Sequence, residues 1–361
     1  MKINLIIFIS EFNLGGAGNS LFKLCKNLPK KKFNITVICL NKCFYKNDLL
    51  KSGVKVIEIS SNKTILGMSK VKKVVQNLLK PNCKNIFLSN IYYSNILSIL
   101  FLKSLNMKII IVERTPFQEL FIYYGLIDFL KKQIIKILIG FTFNKADACI
   151  ANSKYISKKY NERYNLRFKT INPPSFKKLL PFSKSNKKQI CFGTISRLSK
   201  EKKIENLIKI LPQLEGNPIL KIVGDGPEKK KLIKLTKKLN LQGRVIFLGS
   251  YKPNLIKNAL REFNYLINTS DFEGFPNSVV EAFSSGVPVI ASQSFGGIND
   301  IISNKNFGII YKKKDDLKMI LNKILKKKIK FNMDKKKLYK HLDNFSEKKN
   351  TENYKKLFFN I

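Results

Sequence analysis

The feature that most constrains this chain is a rhythm. Short apolar runs alternate with stretches of helical periodicity, and the alternation halts near the middle and then restarts. Such alternation predicts parallel α/β structure. In the first half, strands are expected at Ile3–Ile9, Ile35–Leu40, Lys55–Ile59, Ile86–Ser89, Lys108–Val112 and Ala148–Ala151. A helix over Asn19–Asn27 should follow the first of them, burying Leu21, Phe22, Leu24, Cys25 and Leu28. The break is Ile171-Asn172-Pro173-Pro174 and the polar stretch to Lys188, because two prolines continue neither element type. In the second half, strands are expected at Gln189–Ile195, Ile219–Val223, Val245–Leu248, Asn264–Asn268, Val287–Ala291 and Gly308–Tyr311. Helices are expected near Ile204–Leu211, Glu228–Leu239, Asn254–Glu262, Ser278–Ser285 and Asp315–Lys328. A length of 361 residues suits two domains. The expectation is therefore two Rossmann-like, doubly wound domains, 1–172 and 173–344, facing a central cleft at the carboxyl ends of their sheets.

Composition removes several classes. A hydrophobic content of 44% with 11% aromatics builds two cores, which excludes extensive disorder. Six scattered cysteines without a C-x-x-C pair, beside a single histidine, exclude a disulfide scaffold and a zinc protein. His341 sits in a lysine-rich helix without a partner set and is read as non-catalytic. The charge is extreme: 68 basic against 24 acidic residues give +44. Only six of the basic residues are arginines, whereas base and phosphate readers lean on arginine forks, so no nucleic-acid partner is expected. The lysine excess has two readings, compositional bias on a solvated surface or attraction to an anionic membrane face. Asn85–Leu102, the longest uncharged run, carries Asn90 and Asn95 and reads as a buried strand entering a helix, not a bilayer span. Ile3–Ile9 reads as a first strand and not as a signal peptide, because Glu11 and a glycine loop follow it. A cytoplasmic protein is expected, at most peripheral on the inner face of the plasma membrane.

Three motifs carry chemistry. Gly15-Gly16-Ala17-Gly18 lies between the first strand and its helix, where glycine permits either close approach to a phosphate or a tight turn. Gly193-Thr194-Ile195-Ser196-Arg197-Leu198-Ser199-Lys200-Glu201-Lys202 opens the second domain. It offers Arg197 and Lys202 as fixed cations for a diphosphate, or as ordinary solvated charges. The third motif runs from Glu273 through Gly274, Phe275, Pro276, Asn277 and Ser278 to Glu281. Two carboxylates there bracket a Gly/Pro loop that enters a helix, which suits sugar and ribose hydroxyls around an anion.

With these residues in view, the chain resembles the retaining GT-B glycosyltransferases of family GT4, over nearly its whole length. Gly15-Gly16 is similar to the family's glycine loop, and Gly193 to Lys202 to its "G-R-L…E-K" segment. Gly224-Asp225-Gly226-Pro227 matches "G-x-G-P", Phe247-Leu248-Gly249 matches "F-x-G", and Glu273 to Glu281 matches E-x7-E. Phe345 to Phe358 resembles the closing helix that completes the N-terminal domain, here 345–361. Glu113-Arg114-Thr115-Pro116 resembles the "E-R-x-P" acceptor-side loop of a subset that builds bacterial surface polysaccharides and lipid-linked glycans.

The resemblance implies roles. Arg197 and Lys202 hold the donor diphosphate, Glu273 meets the transferred sugar, and Glu281 takes the ribose hydroxyls. Gly274 to Ser278 supply donors near sugar and phosphate, while Gly224 and Gly249-Ser250-Tyr251 line the base pocket. The implied reaction moves a sugar with retention from a nucleoside diphosphate, by preference UDP-GalNAc, UDP-GlcNAc or UDP-Gal. The implied acceptor is a glycan or a polyprenyl-diphosphate-linked one, with an anionic membrane surface as a partner. D-x-D is absent and two cations are present, so no metal and no cofactor are expected. Two departures stand out: Lys203 where the family has glycine, and Gly296-Gly297-Ile298-Asn299-Asp300 in place of "G-G-x-x-E". A UDP-sugar epimerase on the same fold and a non-catalytic nucleotide-sugar-binding module are the rival readings.

Overall fold

The computed structural model describes residues 2–182, 189–252 and 255–361. The chain divides into two compact units, Met1–Pro174 with Phe345–Ile361, and Ser175–Asn344.

The first unit holds strands β1 (Ile3–Phe8), β2 (Phe33–Cys39), β3 (Lys55–Glu58), β4 (Lys84–Asn90), β5 (Lys108–Glu113), β6 (Ala148–Ala151) and β7 (Phe168–Thr170). All pair in parallel, in the order β3-β2-β1-β4-β5-β6-β7. Every residue of β1 is buried, as a central parallel strand covered on both faces requires. Its alternation sends Ile3, Leu5 and Ile7 into one core and Ile6 and Phe8 into the other. The helices are α1 (Gly16–Asn27), α2 (Lys46–Lys51), α3 (Thr64–Leu78), α4 (Tyr92–Leu102), α5 (Leu126–Thr142) and α6 (Lys154–Tyr164).

The second unit holds β8 (Cys191–Ile195), β9 (Ile219–Val223), β10 (Val245–Gly249), β11 (Tyr265–Asn268), β13 (Val289–Ser292) and β15 (Gly308–Tyr311) in one parallel sheet. Their order is β10-β9-β8-β11-β13-β15. Two short strands, β12 (Phe272–Glu273) and β14 (Phe295–Gly296), pair apart from it. Its helices are α7 (Ile204–Ile210), α8 (Lys229–Lys238), α9 (Ile256–Leu260), α10 (Asn277–Ser284), α11 (Ile298–Ile301), α12 (Lys314–Leu325) and α13 (Lys335–Leu342). The last helix, α14 (Glu347–Asn360), returns to the first unit, where Tyr354 and Phe358 join the core beside β1. Lys23 pairs with its Glu347 at 3.3 Å.

Both sheets share one topology: from each unit's first strand the chain winds outward one way, then crosses and winds the other. The reversal falls between β1 and β4, and between β8 and β11. Open α/β sheets bind ligands at such switch points, outside the carboxyl ends of the strands.

Several boundaries differ from the sequence expectation, each for a local reason. Helix α1 starts at Gly16, three residues before Asn19, because the glycines are inside its first turn. A Cβ at Gly18 would lie 2.1 Å from the Asn13 carbonyl oxygen, so this glycine lets the preceding loop fold over the helix start. Strand β7 was not expected; it is a three-residue edge strand carrying the charges Arg167 and Lys169 around it. Strand β13 begins after Pro288, which has no N–H for the ladder. The expected start of a helix at Asn254 lies outside the described residues, as does the end of the expected linker at 183–188.

Candidate functional site

The second unit gathers most of the expected residues at the carboxyl ends of its strands. Strand β8 runs into the loop 196–203. Ser196 N–H donates to the Val223 carbonyl at 3.1 Å and Leu198 N–H to the Asp225 carbonyl at 3.0 Å. This loop sits so tightly on the end of β9 that a Cβ at Gly224 (φ +141°) would lie 1.8 Å from the Ser196 carbonyl oxygen. Gly224 is therefore what allows Arg197 its position. The Arg197 side chain is exposed, and its guanidinium makes no hydrogen bond or ion pair among the described residues.

A 3-10 turn, Lys200–Lys202, closes the loop, and Lys203 follows with φ +49° and ψ +34°. That left-handed conformation explains the glycine the family carries here. Lysine adopts it at a cost of about 1–2 kcal/mol, and its Nζ reaches Asp271 Oδ2 at 3.3 Å.

The loop after β11 is stitched to this one. Thr269 Oγ1 donates to the Lys202 carbonyl at 2.6 Å, and Asp271 N–H to the Glu201 carbonyl at 2.8 Å. At the centre, Lys202 Nζ and Glu273 Oε1 are 3.0 Å apart, with side chains 12% and 20% exposed. Glu273 Oε2 also accepts from Asn268 Nδ2 at 3.1 Å and Ser270 Oγ at 3.2 Å. Burial alone would raise this carboxyl; the Lys202 ammonium and the three hydrogen bonds outweigh it and hold the pKa below the ordinary glutamate value. The pair is thus a cation anchored on an ionised carboxylate at the switch point between β8 and β11.

The other residues of the second unit expected at the site are placed as follows. Gly274 is half-buried, Phe275 and Pro276 are buried, and helix α10 begins at Asn277, one residue before the expected Ser278. Asn277 Oδ1 accepts from Ser175 Oγ at 2.6 Å. Glu281 is half-buried on α10. Gly297 N–H donates to the Gly274 carbonyl at 3.0 Å, and β14 pairs Gly296 with Glu273, so the departing Gly-Gly segment braces the same loop. Gly249 ends β10 and accepts at its carbonyl from Gly224 N–H at 2.8 Å, with Ser250 and Tyr251 in the loop beyond. Gly193 lies inside β8 against the Phe263 ring.

Gly15, Gly16, Glu113 and Arg114 belong to the first unit. Gly15 and Gly16 are exposed beyond β1, and Gly15 N–H donates to Asn13 Oδ1 at 3.0 Å. Glu113 ends β5 and is wholly buried. Asn95 Nδ2 donates to its Oε1 at 2.5 Å, while Oε2 has no partner. Burial pushes its carboxyl well above the ordinary range, and the Asn95 hydrogen bond opposes this only in part. Arg114, half-buried, donates from Nε to Asn90 Oδ1 at 3.0 Å. Asn90 in turn donates to the Phe8 carbonyl at 3.2 Å, which ties Arg114 to the switch point between β1 and β4. Ile91, next in line, has φ +76°, a region that β-branched residues rarely enter.

Sequence reading missed the supports: Asn268, Thr269 and Ser270 around the Lys202–Glu273 pair, and Asn90 and Asn95 behind Arg114 and Glu113. The available signal was a polar side chain closing an apolar strand, as in Leu266-Ile267-Asn268 and Phe87-Leu88-Ser89-Asn90. Among the described residues, no three His, Cys, Asp or Glu side chains form a metal-binding group.

Comparison with known proteins bears on family and fold. Residues 175–349 match the family described as Glycosyl transferases group 1, and residues 14–172 match Glycosyltransferase Family 4. The lipopolysaccharide 1,6-galactosyltransferase of Escherichia coli K12 is 32% identical over 32% of this chain and 33% of its own. Its counterpart from Salmonella typhimurium LT2 is 30% identical over 45% and 47%. The chain thus spans a third to about half of the length of these relatives. Among solved structures, Anabaena Alr3699/HepE in complex with UDP matches with a TM-score of 0.77 and 19% identity over the whole of both chains. The lipopolysaccharide outer core galactosyltransferase WaaB in its apo form gives 0.75 at 21% identity over 99% of each. These likenesses establish the fold as GT-B, with two Rossmann-like domains. The two family matches follow one another along nearly the whole sequence and meet where the units divide, and on that ground the chain belongs to glycosyltransferase family 4.

Proposed function

We propose that this protein transfers a sugar from a UDP-linked donor to a glycan or lipid-linked acceptor in the assembly of a bacterial lipopolysaccharide or surface polysaccharide. The observation that carries this reading is the Lys202–Glu273 pair at the switch point of the second unit, on the loop that also carries Arg197. As the bond to the anomeric carbon breaks, the departing diphosphate gains negative charge. Two cations there, Lys202 held by Glu273 and Arg197 free to reach the diphosphate, stabilise that charge more in the transition state than in the ground state. Glu273 sets the position of Lys202, and Asn268 and Ser270 set the position of Glu273. With Oε2 already accepting two hydrogen bonds and Oε1 facing Lys202, Glu273 has one lone pair left for a hydroxyl of the transferred sugar. Glu281 on α10 accepts from the ribose, and the backbone of Gly274 to Ser278 meets sugar and phosphate. Retention of configuration is the expectation from family membership. The relatives named as galactosyltransferases and the UDP complex of a fold neighbour support a UDP-sugar, with UDP-galactose the first to test. The cations at this site take the part of a divalent ion, so turnover should survive excess EDTA.

The test is calorimetry with UDP and each UDP-sugar, followed by turnover with glycan and lipid-linked acceptors in EDTA and determination of the product anomer. Micromolar UDP binding with transfer is expected. UDP binding with neither transfer nor hydrolysis would leave a binding module, and epimer formed without acceptor would leave an epimerase.

A further inference from the structure

The outward face of α5 has the wrong chemistry for water. Ile127, Leu130, Ile134, Ile137 and Phe141 recur at alternate spacings of three and four and are 84, 52, 57, 58 and 68% exposed. The opposite face, Ile135 and Ile139, is buried in the core and seats the helix. An apolar stripe five residues long on a surface helix needs a partner. The segment before the helix enlarges the patch, with Phe121, Tyr123 and Tyr124 also exposed.

The surroundings decide which partner. Lysines ring the aromatic end: Lys136 Nζ lies 3.9 Å from the centre of the Phe121 ring and 2.9 Å from Tyr123 Oη, and Lys131 Nζ stands over Tyr93 at 5.7 Å. The one acid of α5, Asp128, is engaged by Lys132 at 2.8 Å. A second copy packed stripe to stripe would bring two lysine-bearing helices together, each with its one carboxylate already paired, in a chain of net charge +44. An anionic bilayer meets both features, taking the apolar side chains below the headgroups while tyrosines and lysines remain at their level. No helix among the described residues is long and apolar enough to cross a membrane, so α5 lies in the interface.

We infer that α5 is a membrane-docking helix that holds the protein on anionic lipid. This inference rests on the exposed face of the first unit and is independent of the donor reading. It also separates a built docking element from diffuse attraction by surface lysines.

The 361-residue sequence contains no tryptophan, so Ile134→Trp places a single reporter on the stripe. With vesicles of phosphatidylcholine and phosphatidylglycerol its emission should shift to the blue and be quenched by brominated acyl chains. The variant Ile134→Ser/Ile137→Ser changes two exposed positions. It should bind these vesicles roughly a hundredfold more weakly, about tenfold per isoleucine removed, while keeping its melting temperature and UDP affinity. Lys230→Gln/Lys234→Gln, on exposed positions of α8 in the second unit, should change binding less than about twofold if α5 is the docking element, since lysines count only within about a Debye length of the lipid surface. Unshifted emission from Ile134→Trp on vesicles that sediment the protein would overturn the inference. So would unchanged binding by the serine variant. Light scattering that shows a dimer broken by the serine variant, with vesicle binding intact, would assign the stripe to a second copy instead.

Discussion

Removing either partner of the Lys202–Glu273 pair should cost stability, and removing both should cost less than the sum. At 3.0 Å, Coulomb's law gives about 5.5 kcal/mol at an effective dielectric of about 20 and about 1.4 kcal/mol in bulk water. Side chains only 12% and 20% exposed place the pair between those limits. A coupling of about 2–3 kcal/mol is therefore expected from the cycle of Lys202→Met, Glu273→Gln and the double variant. Lys202→Met should be the more harmful single change, because it leaves a carboxylate that burial disfavours, supported only by Asn268 and Ser270. The pH dependence carries a sign. The folded pKa of Glu273 is depressed, so its contribution is fully present above the unfolded value and is lost as pH falls through the folded one. In Glu273→Gln that acid arm should flatten. Urea denaturation followed by circular dichroism, with 1 M salt as a further condition, measures all four proteins. A coupling below about 0.5 kcal/mol at pH 7, the level of non-interacting sites, would refute the claim that Lys202 is held by its charge partner, and with it the account of a preset cation.

Arg197→Ala should leave stability within about 0.5 kcal/mol, as surface changes do, yet lower turnover by about 10² or more and weaken UDP binding; unchanged kinetics would remove Arg197 from the mechanism. Gly224→Ala drives a Cβ into the Ser196 carbonyl at a φ that alanine disfavours. A loss of about 2 kcal/mol or more is expected from such a change, with UDP affinity falling alongside, and a fully active, stable variant in thermal and calorimetric assays would contradict the loop packing. Glu113 has a raised carboxyl, so its stabilising state is the protonated one, present at low pH and lost as pH rises through the folded pKa. Glu113→Gln should therefore unfold like the wild type at low pH and gain relative stability as pH rises, and a stability difference that does not change with pH would refute the raised carboxyl.

What was legible in the sequence followed from signals that are local. Apolar runs such as Ile3–Phe8 announce a strand buried on both faces wherever it stands, and Pro173-Pro174 ends an element regardless of context. The two-sheet architecture was readable for that reason. Edges were not: β7 is three residues long, and its flanking charges look like a loop until β6 supplies a ladder. The site divides along the same line. Arg197, Lys202 and the two glutamates stand in contiguous motifs, so their nomination needed no fold. That Lys202 and Glu273 touch, across 71 positions of sequence, depends on β8 and β11 being neighbours at the switch point, which only the strand order reveals. Lys203 shows the limit most clearly. Against the family pattern it looks like a defect, since a lysine replaces a glycine. The backbone at that position is left-handed in this chain too. The conformational cost, about 1–2 kcal/mol, is offset by contacts that only the folded loop provides: the Lys203–Asp271 ion pair and the Asp271 N–H bond to Glu201. A motif therefore fixes a backbone path more firmly than it fixes the residue that walks it.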